Sequence, residues 1–229
     1  MKKVSKKKTL FITTVIISLL LIKLEIISVS SPTIQKFNSE NNTLILVNKS
    51  TTLPSNYKPN NLVEVKVPLA SNITSNEKKM TSEAAEALAK MFNKGKKDGM
   101  NFYAVSGYRS YEMQKTLYKE NTMRAGKEQT DKYVAFPGAS EHQTGLAMDV
   151  TNEAGIDGAL VDDFSQTPEG IWLKENCKEF GFIIRYPKNK EELTGYNYEP
   201  WHIRYVGISI AKEITSKNLV LEEYLESKS

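Results

Sequence analysis

Apolar residues recur at helical spacing through Ala84, Ala85, Leu88, Met91 and Phe92, which predicts a helix from about Ser82 to Lys97. Ser82 is its expected cap and Asp98-Gly99 its stop. Phe102, Ala104 and Ser106 then alternate with Tyr103, Val105 and Gly107, the two-residue period of a strand. Ser110 is placed to cap a second helix that runs to about Arg124 and ends at Gly126. Residues 127 to 140, with Pro137-Gly138, show no period and are expected to be a loop, while Leu146 to Thr151 suits a strand.

Thr167 and Pro168 open a third helix with Trp172, Leu173, Cys177 and Phe180 facing inward and Gly181 closing it. Phe182 to Tyr186 and Trp201 to Val206 are further strands, followed by a last amphipathic helix carrying Ile208, Ile210, Ile214 and Leu219. Upstream, Leu44 to Val47 is a strand candidate that starts the domain, after which Pro54, Pro59 and Pro68 keep the chain extended or turning. Helices followed by clustered strands place the chain in the α+β class.

The charge distribution changes the picture at the N-terminus. Residues 1 to 30 hold Lys2, Lys3, Lys6, Lys7, Lys8 and Lys23 against Glu25, a net of +5 in a chain whose total is +4, which leaves −1 for the remainder. A basic pI near 8.9 therefore belongs to the leader, and nucleic-acid binding by the domain is not expected. The lysines precede the apolar run Leu10 to Ile22, which falls short of the roughly 20 residues that span a bilayer, and Ser28 and Ser30 make a small-residue cleavage pair. Residues 1 to 30 are read as a signal peptide or, if uncleaved, an N-terminal membrane anchor, 31 to 43 as a polar tether, and 44 to 229 as one domain. Both readings put the domain outside the cytoplasmic membrane, secreted or anchored. No cysteine follows the run, and the single Cys177 excludes an intramolecular disulfide.

Two histidines are the whole imidazole content of the chain, and each has a carboxylate close in sequence: His142 with Asp149, and Glu199 with His202. Gly145 and Ala147 let the chain turn after His142 and enter a strand with Asp149 aimed at the same place. Pro200 lacks an amide hydrogen and restrains Glu199 to extended angles, so a bend must bring Glu199 and His202 into one cavity. Two imidazoles and one carboxylate suit a catalytic zinc with an open fourth position. Glu199 is left by elimination as the proton acceptor beside the metal. Taken singly, His142 also fits a solvated loop histidine, Asp149 a cap or turn residue, and Trp201 and Tyr198 packing.

The order of three motifs adds a resemblance. Ser106-Gly107-Tyr108-Arg109-Ser110 with Gln114, then residues 137 to 149 (PGASEHQTGLAMD), then Glu199-Pro200-Trp201-His202, resemble the VanY-type zinc D-alanyl-D-alanine carboxypeptidases over most of 44 to 206. The resemblance implies a fold shared with lysostaphin-like peptidases and hedgehog domains, in which a small antiparallel sheet carries one zinc per chain and helices flank it. It implies His142, Asp149 and His202 as ligands, Glu199 as base and Arg109 as the oxyanion-stabilising cation. Gln114 and Ser140 match positions that bind the substrate's terminal carboxylate, and Tyr186 is a further substrate contact. The implied activity removes the C-terminal D-alanine of peptidoglycan stem peptides; trimming of the tetrapeptide, an L,D bond, is the alternative. The leader and the carboxylate-binding pattern argue against a phage-type endopeptidase. Glu199 together with Arg109 argues against a non-catalytic metal-binding module of the same fold.

Overall fold

A computed structural model of the chain describes residues 43–157 and 160–228, and the leader and nearly all of the tether lie outside that range. No helix among the described residues is long and apolar enough to cross a membrane. The elements run β1 (Leu62–Glu64), β2 (Lys79–Thr81), α1 (Ser82–Lys97), β3 (Tyr103–Ser106), α2 (Tyr111–Ala125), α3 (Lys127–Tyr133), β4 (Ala147–Thr151), α4 (Pro168–Asn176), β5 (Phe182–Tyr186), α5 (Glu191–Thr194), β6 (Glu199–Tyr205), α6 (Ile208–Ser216) and α7 (Leu221–Glu226). Strands β3, β4, β6 and β5 form an antiparallel sheet in that order, and β1 pairs with β2 alone. This is the α+β arrangement expected from the sequence.

The sheet's two faces have opposite chemistry because side chains alternate along each strand. Met148 and Val150 of β4, Phe182 of β5, and Trp201, Ile203 and Tyr205 of β6 join the main core. There they meet Leu88, Met91 and Phe92 of α1 and Leu173 of α4. Burying a side chain such as Leu88 is worth about 1.5–3 kcal/mol. The alternate residues Asp149, His202 and Arg204 therefore face the other way, and all are buried. On β6, Glu199 is three positions from His202, a spacing that puts side chains on opposite faces of a regular strand. Between the pairs Ile184↔Ile203 and Tyr186↔Glu199 the register shifts, with four steps on β6 against two on β5. That irregularity surrounds Pro200, which has no amide hydrogen for the ladder, and it supplies the bend the sequence demanded.

Several local expectations need correction. Leu44 to Val47 is not in a strand. It is a wedge, with Ile45 and Val47 in the main core and Leu44 and Leu46 against a smaller cluster built from α6 and α7. The Arg204 guanidinium donates to the carbonyls of Thr43 and Ile45, at 3.0 and 2.8 Å, so these backbone groups are satisfied without a neighbouring strand. Ser82 is the first helical residue of α1 and not its cap; its amide donates to the Asn61 carbonyl. The expected loop at 127 to 140 begins with the polar helix α3, which buries only Thr130 and so shows no apolar period. The last helix is two, α6 and α7, divided where Asn218 takes a left-handed conformation (φ 51°). Strands β1 and β2, three residues each, carried no visible pattern. Ser110 caps α2 as expected, its hydroxyl accepting from the Met113 amide, and Thr167 caps α4 through the Gly170 amide.

Candidate metal centre and active site

His142 sits in a single 3-10 turn, Glu141–Thr144, closed by Gly145 at φ +68°. Its Nδ1 lies 2.7 Å from the Gly107 carbonyl, so Nδ1 carries the proton and Nε2 is turned towards Asp149 Oδ2, 3.3 Å away. Gly107 itself approaches the backbone closely, and a Cβ there would lie 2.5 Å from the Lys79 carbonyl oxygen. Asp149 and His202 are Cα partners across β4 and β6, with Asp149 Oδ1 2.9 Å from His202 Nδ1. One ligand atom from each of His142, Asp149 and His202 lies within 4.8 Å of the others, and all three residues are buried. Two imidazoles and a carboxylate converging on one point, open on one side to a cavity of about 450 Å³, fit a three-ligand metal site with an open position.

Charges around this point are strongly biased. Burial disfavours ionised Asp149, but His142 and His202 outweigh it and hold the carboxyl well below the usual range. Burial likewise works against charge on His202, yet its hydrogen bond to Asp149 and the proximity of Glu141 raise it to about 9. Burial pushes His142 down, helped by the Arg109 charge. Glu199 is pushed up to about 8 by burial; its Oε2 lies 3.8 Å from His202 Nδ1, at the cavity wall. In the metal-free protein this carboxyl therefore holds its proton at pH 7, and a neighbouring cation would favour its ionised form.

Arg109 enters from the turn after β3. Its Nη1 donates to Ser106 Oγ at 2.6 Å and its Nε to Gln114 Oε1 at 3.0 Å, which fixes the guanidinium 3.8 Å from Asp149 Oδ2. Gln114, expected at the substrate, stands one layer out: it is 1% exposed, is absent from the cavity wall, and donates to the Ala135 carbonyl at 2.7 Å. Ser140 and Tyr186 do line the cavity, with the Tyr186 ring centroid 4.9 Å from that of His202. Trp201, expected only to pack, both packs in the core and faces the cavity.

The sequence reading missed the support behind His202. Glu141 is 1% exposed, and its Oε1 accepts from Arg185 Nε at 2.7 Å and Arg204 Nη1 at 2.6 Å. Burial would neutralise this carboxyl, but the two guanidiniums hold it well below the usual range. Arg185 extends the pairing to both carboxylate oxygens of Glu222 on α7. A visible signal existed: Arg185 interrupts the otherwise apolar β5, and Arg204 sits two residues after His202 on β6. Tyr196 and the apolar cavity wall at Leu117, Tyr133 and Leu160 were not foreseen either.

The sequence matches the family described as VanY, D-alanyl-D-alanine carboxypeptidase, over residues 77–208. The Bacillus subtilis (strain 168) protein YodJ is 45% identical over 194 residues, covering 84% of this chain and 70% of that protein. The structure of LdcB, an LD-carboxypeptidase, is 46% identical with a TM-score of 0.75, covering 81% of this chain and 86% of that one. A mutant of the vancomycin-resistance D,D-pentapeptidase VanY in complex with Zn(II) is 34% identical with a TM-score of 0.65, covering 81% and 99%.

Proposed function

The chain belongs to the VanY family of D-alanyl-D-alanine carboxypeptidases, and from that premise we propose that it is a zinc carboxypeptidase removing the terminal D-alanine from peptidoglycan stem peptides. The observation that carries this reading is the convergence of His142, Asp149 and His202 beside a buried Glu199 on the wall of the same cavity. These three would hold one zinc per chain. When bound, zinc would polarise the scissile carbonyl and lower the pKa of water, so that hydroxide is available as the nucleophile near neutral pH. Glu199, ionised beside the cation, would accept a proton from the attacking water and return it to the leaving amine. Arg109, fixed by Ser106 and Gln114, faces the charge that develops on the carbonyl oxygen. Ser140 and Tyr186, which line the cavity, would contact the substrate's terminal residue, and Gln114 would act on it through Arg109.

The lysine-then-apolar pattern of residues 1 to 30 supports an exported protein acting at the cell wall. A second reading, cleavage of the L,D bond of the tetrapeptide, is favoured by the likeness to LdcB. One experiment separates them: the purified protein is incubated with pentapeptide and with tetrapeptide stems, with and without a chelator, and the products are weighed. Chelator-sensitive D-alanine release from the pentapeptide is expected; release from the tetrapeptide alone would favour the second reading, and release from neither would sink both. Glu199→Ala should retain its zinc and lose turnover, whereas loss of zinc with activity would make Glu199 a ligand.

A further inference from the structure

His202 is the one candidate ligand whose far nitrogen meets another charged side chain. Its Nδ1 faces the cavity, 2.9 Å from Asp149 and 3.8 Å from Glu199. Its Nε2 points into the protein, 3.6 Å from Glu141 Oε2, and neither of these two buried atoms has a hydrogen-bond partner among the described residues. The gap is longer than a hydrogen bond, and a shift of the His202 ring of a few tenths of an ångström would bring the two atoms into range. The other Glu141 oxygen is fully engaged by Arg185 and Arg204. That leaves Oε2 as the free, ionised end, which only accepts hydrogen bonds.

We propose that Glu141 is a positioning residue that holds His202 with its proton on Nε2, so that the Nδ1 lone pair is kept for the metal. His142 uses the opposite arrangement: its Nδ1–H is taken by the Gly107 carbonyl and its Nε2 faces the cavity. The two imidazoles thus bind through different nitrogens, each set by what stands behind it. Glu141 itself is immobile because two guanidiniums anchor it. Arg204 is tied to the Thr43 and Ile45 carbonyls and Arg185 to Glu222, so segments from both ends of the described domain hold one ligand's orientation. The chemistry is that of a carboxylate behind a metal-bound histidine, with arginines supplying the counter-charge that lets a carboxylate stay ionised in the interior.

This inference rests on His202 being a metal ligand. The full-length protein is prepared as wild type, Glu141→Gln and Glu213→Gln, and zinc affinity is measured by chelator competition. Glu141→Gln should bind zinc about 10- to 100-fold more weakly, while Glu213→Gln, a carboxylate paired with Lys217 and Lys228 outside this network, should match wild type within about threefold. With only two histidines in the chain, nitrogen-15 NMR of the zinc-loaded wild type resolves both rings. It should show His202 metal-bound at Nδ1 with a slowly exchanging, hydrogen-bonded Nε2–H. If wild type binds no zinc, the metal reading itself fails. If wild type binds zinc and a folded Glu141→Gln binds it equally, only the role of Glu141 is overturned. Should Glu141→Gln not fold, the wild-type spectrum decides: zinc on Nε2 of His202, or an Nε2–H that exchanges freely, overturns the proposal.

Discussion

Zinc uptake by the metal-free protein should expel protons, and two side chains set how many. His202 stands at about 9 and Glu199 at about 8 without metal. At pH 7 those values leave His202 about 99% and Glu199 about 90% protonated. A metal at the cavity-facing nitrogen displaces the proton of His202, and a cation beside Glu199 favours its ionised form. Between about one and two protons should therefore leave per zinc at pH 7. The apparent Kd should fall about tenfold per pH unit for each proton released and level off above pH about 9. The rise of His202 from 6.5 to about 9 sets against zinc binding, at low pH, a proton worth about 3 kcal/mol. Calorimetry in buffers of different ionisation enthalpy counts the protons directly. A count of zero at pH 7 would refute the reasoning, because His202 would then be either neutral before binding or not a ligand. Stability of the metal-free protein should follow the same groups. The contribution of His202 is complete below 6.5 and lost as pH rises through about 9. Glu199, raised above 4.5, favours the fold only while protonated, so that contribution also fades, between pH about 4.5 and 8.

Gly107→Ala should weaken zinc binding about 10- to 100-fold, since its Cβ would collide with the Lys79 and Glu77 carbonyls and shift the carbonyl that orients His142; unchanged affinity by chelator competition would show that this carbonyl does not matter. Arg109→Lys keeps the charge but cannot bond Ser106 and Gln114 together. Its kcat should fall about 10²- to 10³-fold with zinc content intact, and wild-type kcat would remove Arg109 from the reaction. Leu88→Ala should cost about 2–5 kcal/mol in urea unfolding and leave kcat of the folded protein alone, because Leu88 is fully buried in the core behind the sheet.

What could be read from the sequence depended on whether a residue's role is written in its neighbours along the chain. Helices α1, α2 and α4 announce themselves by apolar period, Ser110, Thr167 and glycine stops. The metal residues stood out because histidine is so scarce here. Glu199 was readable through Pro200, whose missing amide hydrogen demands an irregular strand. The misses are of another kind. The apolar run Leu44 to Val47 is real, but whether such a run joins a ladder depends on a distant partner, and here that partner is a guanidinium. The clamp on Glu141 unites positions 141, 185, 204 and 222, which no local window contains. Gln114 was placed at the substrate by its motif, whereas its contact with Arg109 appears only in three dimensions.

The residues proposed for chemistry and those that shape the cavity have separate architectural homes. Asp149, His202 and Glu199 ride on β4 and β6, the two interior strands. Much of the wall comes from Leu117 on α2, from Tyr133 to Ala135 and from Leu160 to Asp162, outside the sheet. Over evolutionary time these parts can drift at different speeds. Surface segments accept substitution and insertion far more readily than a buried strand, so a lineage can remodel which peptide end it admits while inheriting the reaction centre unaltered. The same division marks where an engineer should recombine relatives: wall segments are the exchangeable part, and the interior strands are the part to leave in place.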